Sequence, residues 1–133
     1  MNNVMEEKII FTTGGTGGHI YPALAIAKEF KKRGSSILFV GTKHRMEREI
    51  VPNEGYNFIG LDVLPLRSIK SFIKMLKAIK EALRIVKNEK PTKVIGFGNY
   101  ISIPILVAAK IKKTPYYLQE QNSTMGMANR YFY

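Results

Sequence analysis

Five short apolar runs alternate along this chain with longer stretches of helical period, and that alternation most constrains its fold. The runs are Lys8–Thr13, Ser36–Val40, Tyr56–Leu61, Lys93–Gly96 and Pro115–Leu118, rich in β-branched and aromatic residues. Helices are expected over Pro22–Lys32, Arg45–Val51, Ile69–Lys87 and Ile101–Lys112. Pro22 and Pro104 suit first turns, Gly34 suits a C-terminal cap, and Pro52, Gly55 and Pro91 are stop signals. A last helix is expected to start within Met125–Phe132, and because the chain stops there, a partial polypeptide is expected. Strands separated by helices lie parallel, since a parallel neighbour is reached only through a crossover. The expected architecture is therefore α/β: a Rossmann-like parallel sheet in the order 3-2-1-4-5, with helices on both faces. In such sheets ligands bind beyond the carboxyl ends of the strands. The polar, glycine-rich segments 14–18, 96–100 and 119–124 all fall at those ends.

The sharpest of these segments is Gly14-Gly15-Thr16-Gly17-Gly18-His19, between a strand and a helix. Glycine lets backbone approach an oxygen-rich ligand closely, and the following helix presents free N–H groups and its positive dipole end. That chemistry suits a diphosphate; the plainer alternative is a tight connecting turn. The dinucleotide fingerprint is absent, because Ile20 stands where its third glycine belongs and no acid follows the second strand, where the chain runs Gly41-Thr42-Lys43. A Walker A loop is excluded, as no Gly-Lys-Ser/Thr follows. His19 either donates to a phosphate or accepts a substrate proton, or else it caps its own helix.

The second loop, Gly96 to Pro104, repeats the glycine-turn logic, with Gly98, Tyr100 and Ser102 as possible ligand contacts and ordinary loop packing as the alternative. The third, Gln119-Glu120-Gln121-Asn122, carries Glu120 at a strand mouth. Glu120 can bind sugar hydroxyls or act as a base, or it can hold loop amides in place. Asn122 can bond a sugar or simply form a turn. His44 has no partner at ligand spacing and is expected in a surface loop. With one Asp (Asp62) and no cysteine, neither an Asp-x-Asp metal site nor a thiolate site can form, and no cofactor is expected. A diphosphate leaving group must then be stabilised by helix ends, backbone donors or cations.

The net charge of +11 is unevenly placed. Residues 67–93 hold nine Lys/Arg against two acids, while residues 1–66 hold eight against seven. Within the expected helix 69–87, Ile69, Phe72, Leu76, Ile79, Leu83 and Val86 form an apolar stripe expected to pack mostly on the sheet. Lys70, Lys74, Lys77, Lys80, Arg84 and Lys87 occupy the neighbouring face. A concentrated basic face points to an anionic partner. An anionic membrane surface docking against the 64–87 region is favoured, with apolar residues of 64–75 touching lipid and no nucleic acid expected, since no nucleic-acid motif accompanies the charge. The longest apolar stretch, Ile101–Ala109, is broken by Ser102 and Pro104 and falls short of the roughly 20 residues of a membrane span.

Taken together, Gly14–His19 with Ile20-Tyr21-Pro22, Gly41-Thr42, Arg45-Met46-Glu47, Gly96–Tyr100 with Ser102 and Pro104, and Glu120-Gln121-Asn122 resemble the MurG family. These are the peptidoglycan N-acetylglucosaminyltransferases that convert lipid I to lipid II. The resemblance covers nearly the whole chain and implies the N-terminal, acceptor- and membrane-side half of a GT-B glycosyltransferase over 1–133, with a C-terminal donor-binding domain lying outside it. It implies inverting, metal-independent transfer from UDP-N-acetylglucosamine to lipid I at the cytoplasmic face of the bacterial inner membrane. It also implies that Thr16, Gly17, Gly18 and Asn122 contact the donor, that Gly15, Gly98, Tyr100 and Ser102 line the substrate site, and that His19 and Glu120 are the candidate catalytic groups. The alternative is a non-catalytic module for a phosphosugar or lipid diphosphate. Asn99 and Ile103 replace glycines usual in the family, and they are expected to narrow the second loop.

Overall fold

The computed structural model describes residues 7–15, 17–119 and 129–132. Strands β1 (Lys8–Thr12), β2 (Ser36–Thr42), β3 (Asn57–Leu61), β4 (Lys93–Phe97), β5 (Tyr116–Gln119) and β6 (Asn129–Phe132) form one sheet in the order β3-β2-β1-β4-β5-β6. The first five are parallel, in the order expected from the alternation. The sixth corrects the expected last helix: Asn129–Phe132 pairs antiparallel with β5, Gln119 opposite Asn129 and Tyr116 opposite Phe132. An unpaired edge at β5 offers ladder bonds that a short run ending in Tyr131-Phe132 can take, and aromatic residues favour strands.

Helices α1 (Gly17–Lys32), α2 (Glu47–Asn53), α3 (Ile69–Glu89) and α4 (Ile103–Ile111) cover the sheet. Residue alternation along β1 divides the core. Ile9 and Phe11 face Ile20, Ala23, Leu24 and Ala27 of α1, with Phe39 and Phe97 beside them. Ile10 faces the other way, toward Met75, Ala78 and Ala82 of α3 and Ile105 of α4. Phe11 is fully buried, stacking on Phe39 at 5.2 Å between ring centroids.

Several helix boundaries depart from expectation. Helix α1 starts at Gly17 rather than at Pro22, which lies inside it. Proline there removes only the bond its N–H would make to the Gly18 carbonyl, so the helix continues. Pro52 likewise sits within the last turn of α2. Helix α4 starts at Ile103, after a single 3-10 turn over Tyr100–Ser102 that Asn99 caps through the Ile101 amide.

Helix α3 begins with a capping box in which the Ser68 hydroxyl accepts from the Ser71 amide and the Ser71 side chain returns the contact. It ends at Lys90, in the left-handed conformation just before Pro91. Its buried face corrects the expected stripe. Ser71, Met75, Ala78, Ala82, Ile85 and Val86 are buried, whereas Ile69, Phe72 and Leu76 are exposed. Only Val86 of the expected stripe is fully buried; Ile79 and Leu83 are partly so. Small residues set the contact with α4, because Ala78 and Ala82 let the two helices lie close, while Met75, Ile85 and Val86 fill the space beside them and Ile69, Phe72 and Leu76 turn outward.

Candidate functional site

The carboxyl ends of β1, β2 and β4 converge on the first glycine loop. Gly15 has φ +93°, a conformation that side-chain-bearing residues rarely adopt. Its N–H donates to Glu47 Oε1 at 2.9 Å, and its carbonyl accepts from Arg45 Nη2 at 2.9 Å. The other carboxylate oxygen of Glu47 accepts from the Thr42 amide at 2.9 Å, tying the end of β2 to the loop after β1. Asn99 reaches across from the β4 loop and donates from Nδ2 to the Gly14 carbonyl at 3.0 Å, while its Oδ1 accepts from the Ile101 amide. A Cβ on Gly14 would fall 2.0 Å from Glu47 Oε2, so the loop can pass here only as glycine.

Deeper in the same end, the Ser102 hydroxyl lies 3.0 Å from the carbonyls of both Thr12 and Phe97 and donates between them. Thr42 Oγ1 sits between the carbonyls of Leu61 and Val63, and Thr13 Oγ1 donates to the His19 carbonyl at 3.1 Å. Strand ends that would otherwise expose carbonyls are thereby cross-linked by hydroxyls. Among the described residues, Thr12 Oγ1 is the buried side-chain polar atom without a partner.

The expected site residues distribute as follows. Gly17 and Gly18 form the first turn of α1, whose N–H groups have no partner within the helix. His19 is half-buried in that turn. Both backbone polar atoms of Gly15 are engaged within the protein. Gly98 is half-buried at the end of β4, its N–H 3.5 Å from the Gln119 carbonyl. Tyr100 packs on the α3–α4 side of the core, and Ser102 is buried among carbonyls. Thr16, Glu120 and Asn122 lie outside the described residues. Asn99, expected to narrow its loop, joins it to the first one.

Sequence reasoning missed Glu47 as a site residue. It is a fully buried carboxylate at the start of a short helix, and only its place in the quoted Arg45-Met46-Glu47 motif marked it. His44 is exposed in the turn after β2, the surface position expected of it, and there it meets a carboxylate. Its Nε2 lies 2.6 Å from Asp62 Oδ1, and Lys74 Nζ donates to Asp62 Oδ2 at 2.7 Å. The Lys74 hydrogen bond, with that of His44 next, lowers the Asp62 carboxyl to about 2. Among the described residues no three His, Asp or Glu side chains converge on a metal-sized site.

A doubly covered parallel sheet, with a glycine loop feeding a helix N-terminus at the carboxyl end of its first strand, defines a Rossmann-type domain with an anion-binding helix end. The chain belongs to glycosyltransferase family 28 and carries its N-terminal domain, whose family model matches residues 9–133. It is 50% identical over 127 residues to the UDP-N-acetylglucosamine--N-acetylmuramyl-(pentapeptide) pyrophosphoryl-undecaprenol N-acetylglucosamine transferase of Fusobacterium nucleatum, covering 96% of this chain and 36% of that protein. The transferase of the same name from Halothermothrix orenii is 44% identical over 129 residues, covering 92% and 35%. The crystal structure of Acinetobacter baumannii MurG superposes with a TM-score of 0.80 at 30% identity, over 91% of this chain and 37% of that one. The chain thus spans about a third of the length of the curated relatives it matches.

Proposed function

We propose that this chain is the acceptor- and membrane-side domain of an inverting N-acetylglucosaminyltransferase that works with a second, donor-binding domain. The donor is UDP-N-acetylglucosamine and the acceptor is lipid I, an undecaprenyl-diphosphate-linked muramoyl pentapeptide. The muramyl 4-hydroxyl oxygen attacks the anomeric carbon, the bond from that carbon to the diphosphate breaks, UDP leaves, and the hydroxyl proton passes to His19 or Glu120. The N-terminus of α1 binds diphosphate charge through its free N–H groups and dipole. The observation that carries this reading is the 50% identity, over nearly the whole chain, to a transferase of that name.

A surface feature supports docking at the cytoplasmic face of the inner membrane. Leu66, Ile69, Phe72, Ile73 and Leu76 are all exposed, with Lys70 and Lys77 among them. Apolar side chains ringed by lysine suit the interface of an anionic leaflet. No helix among the described residues is long and apolar enough to cross a membrane.

Transfer of radiolabel from UDP-N-acetylglucosamine to lipid I tests the reading. The full-length protein is expected to form lipid II, and the 133-residue chain alone to form none. Robust product from the chain alone refutes the two-domain account. Binding of lipid I without turnover by the full-length protein favours the non-catalytic module instead.

A further inference from the structure

We infer that Arg45 and Glu47 are positioning residues, which hold Gly15 in its left-handed conformation so that the N-terminus of α1 faces the diphosphate of a bound substrate. The inference rests on the functional reading above and adds residues to it.

Glu47 has no exposed surface, and burying a carboxylate is unfavourable unless both its oxygens find donors. Both do, and each donor is a backbone amide at a different strand end: Gly15 after β1 and Thr42 at the close of β2. Electrostatically, a carboxylate is the wrong group to set behind a loop that receives a diphosphate. Its merit is geometric, for no neutral side chain of this length accepts on two oxygens at once. The surroundings are shaped to it: a Cβ on Gly41 would lie 2.8 Å from Glu47 Cγ, and one on Gly14 would overlap the carboxylate itself. From the exposed side, Arg45 takes the Gly15 carbonyl, so the peptide units flanking Gly15 are held from both directions. Gly17, two residues later, opens α1. Holding Gly15 therefore holds the end of the loop beside the N–H groups of that first turn.

The test uses steady-state transfer by the full-length protein carrying Glu47→Gln, with thermal unfolding measured alongside. Glutamine keeps the volume but offers one acceptor where two amides need one each. The KM for at least one diphosphate substrate is expected to rise about tenfold, with kcat nearly unchanged, as for a lost ground-state contact of one hydrogen bond. A rise for UDP-N-acetylglucosamine assigns the loop to the donor diphosphate, and a rise for lipid I assigns it to the acceptor. A folded variant with both KM values unchanged overturns the inference, as does a fall in kcat alone. If Glu47→Gln does not fold, Arg45→Ala carries the same readout, because Arg45 is exposed and its loss leaves the core intact. A wild-type protein without transferase activity removes the functional reading and this inference together; an active wild type with an unaltered variant removes the inference alone.

Discussion

Asp62 shows how much one carboxylate's surroundings matter. Its two oxygens are divided between Lys74 and His44, and the pairing holds its carboxyl near 2, below the ordinary 3.8. A depressed acid stabilises the fold above its unfolded value, and that contribution is lost as pH falls toward the folded value. The stability difference between the wild-type protein and Asp62→Asn should therefore be present at neutral pH and shrink between about pH 4 and pH 2, as read by urea unfolding at stepped pH. Because the carboxylate is 38% exposed, the neutral-pH difference should be small, of order 0.5 kcal/mol. A difference that stays constant from pH 7 to pH 2 would show that the pairing contributes nothing. At this scale the sequence was least legible. Glu47, Asp62 and His44 are single polar letters, and only the chain's path reveals that one is enclosed by glycines and the other two meet across 18 residues.

Helix α3 carries two jobs on one cylinder. Its period predicted an amphipathic helix, and the helix exists over Ile69–Glu89. The period did not predict which face is inward, since Leu76 and Ala78 lie two residues apart and hydrophobicity alone ranks Leu76 the better core residue. Packing decided otherwise: α4 approaches closely enough that Ala78 and Ala82 fit, leaving Ile69, Phe72, Ile73 and Leu76 in solvent. Such exposure of large apolar groups marks an interaction surface. Vesicles containing anionic phospholipid should float the full-length protein at low salt. The double variant Lys70→Glu, Lys77→Glu should cost about 4 kcal/mol of that binding, since each change removes one favourable charge near the leaflet, worth about 1 kcal/mol, and adds one unfavourable charge. Phe72→Ser should weaken binding without changing its salt dependence. Equal flotation of all three proteins would exclude this face.

Across the whole molecule, two apolar layers lie on either side of a sheet whose carboxyl edge gathers the glycine loops. Phe11 anchors the α1 side, packed on Phe39 and Phe97 from the neighbouring strands. Phe11→Ala should cost about 3–5 kcal/mol of unfolding free energy, measured by chemical denaturation, because the cavity lies between three strands that cannot collapse into it. A loss below about 1 kcal/mol would mean that the core repacks freely there. The sequence by itself determined the class of fold, the order of the five parallel strands and the placing of the first two glycine loops at their carboxyl ends. Those follow from local periodicity, turn chemistry and the crossover requirement, all of which act along the chain. Only the tertiary structure decided that β6 closes the edge, that α3 turns its small residues inward, and that Glu47, Arg45 and Asn99 hold the first loop. Each of these depends on what a residue meets from a distant part of the chain, and no local pattern encodes the distance between two strand ends.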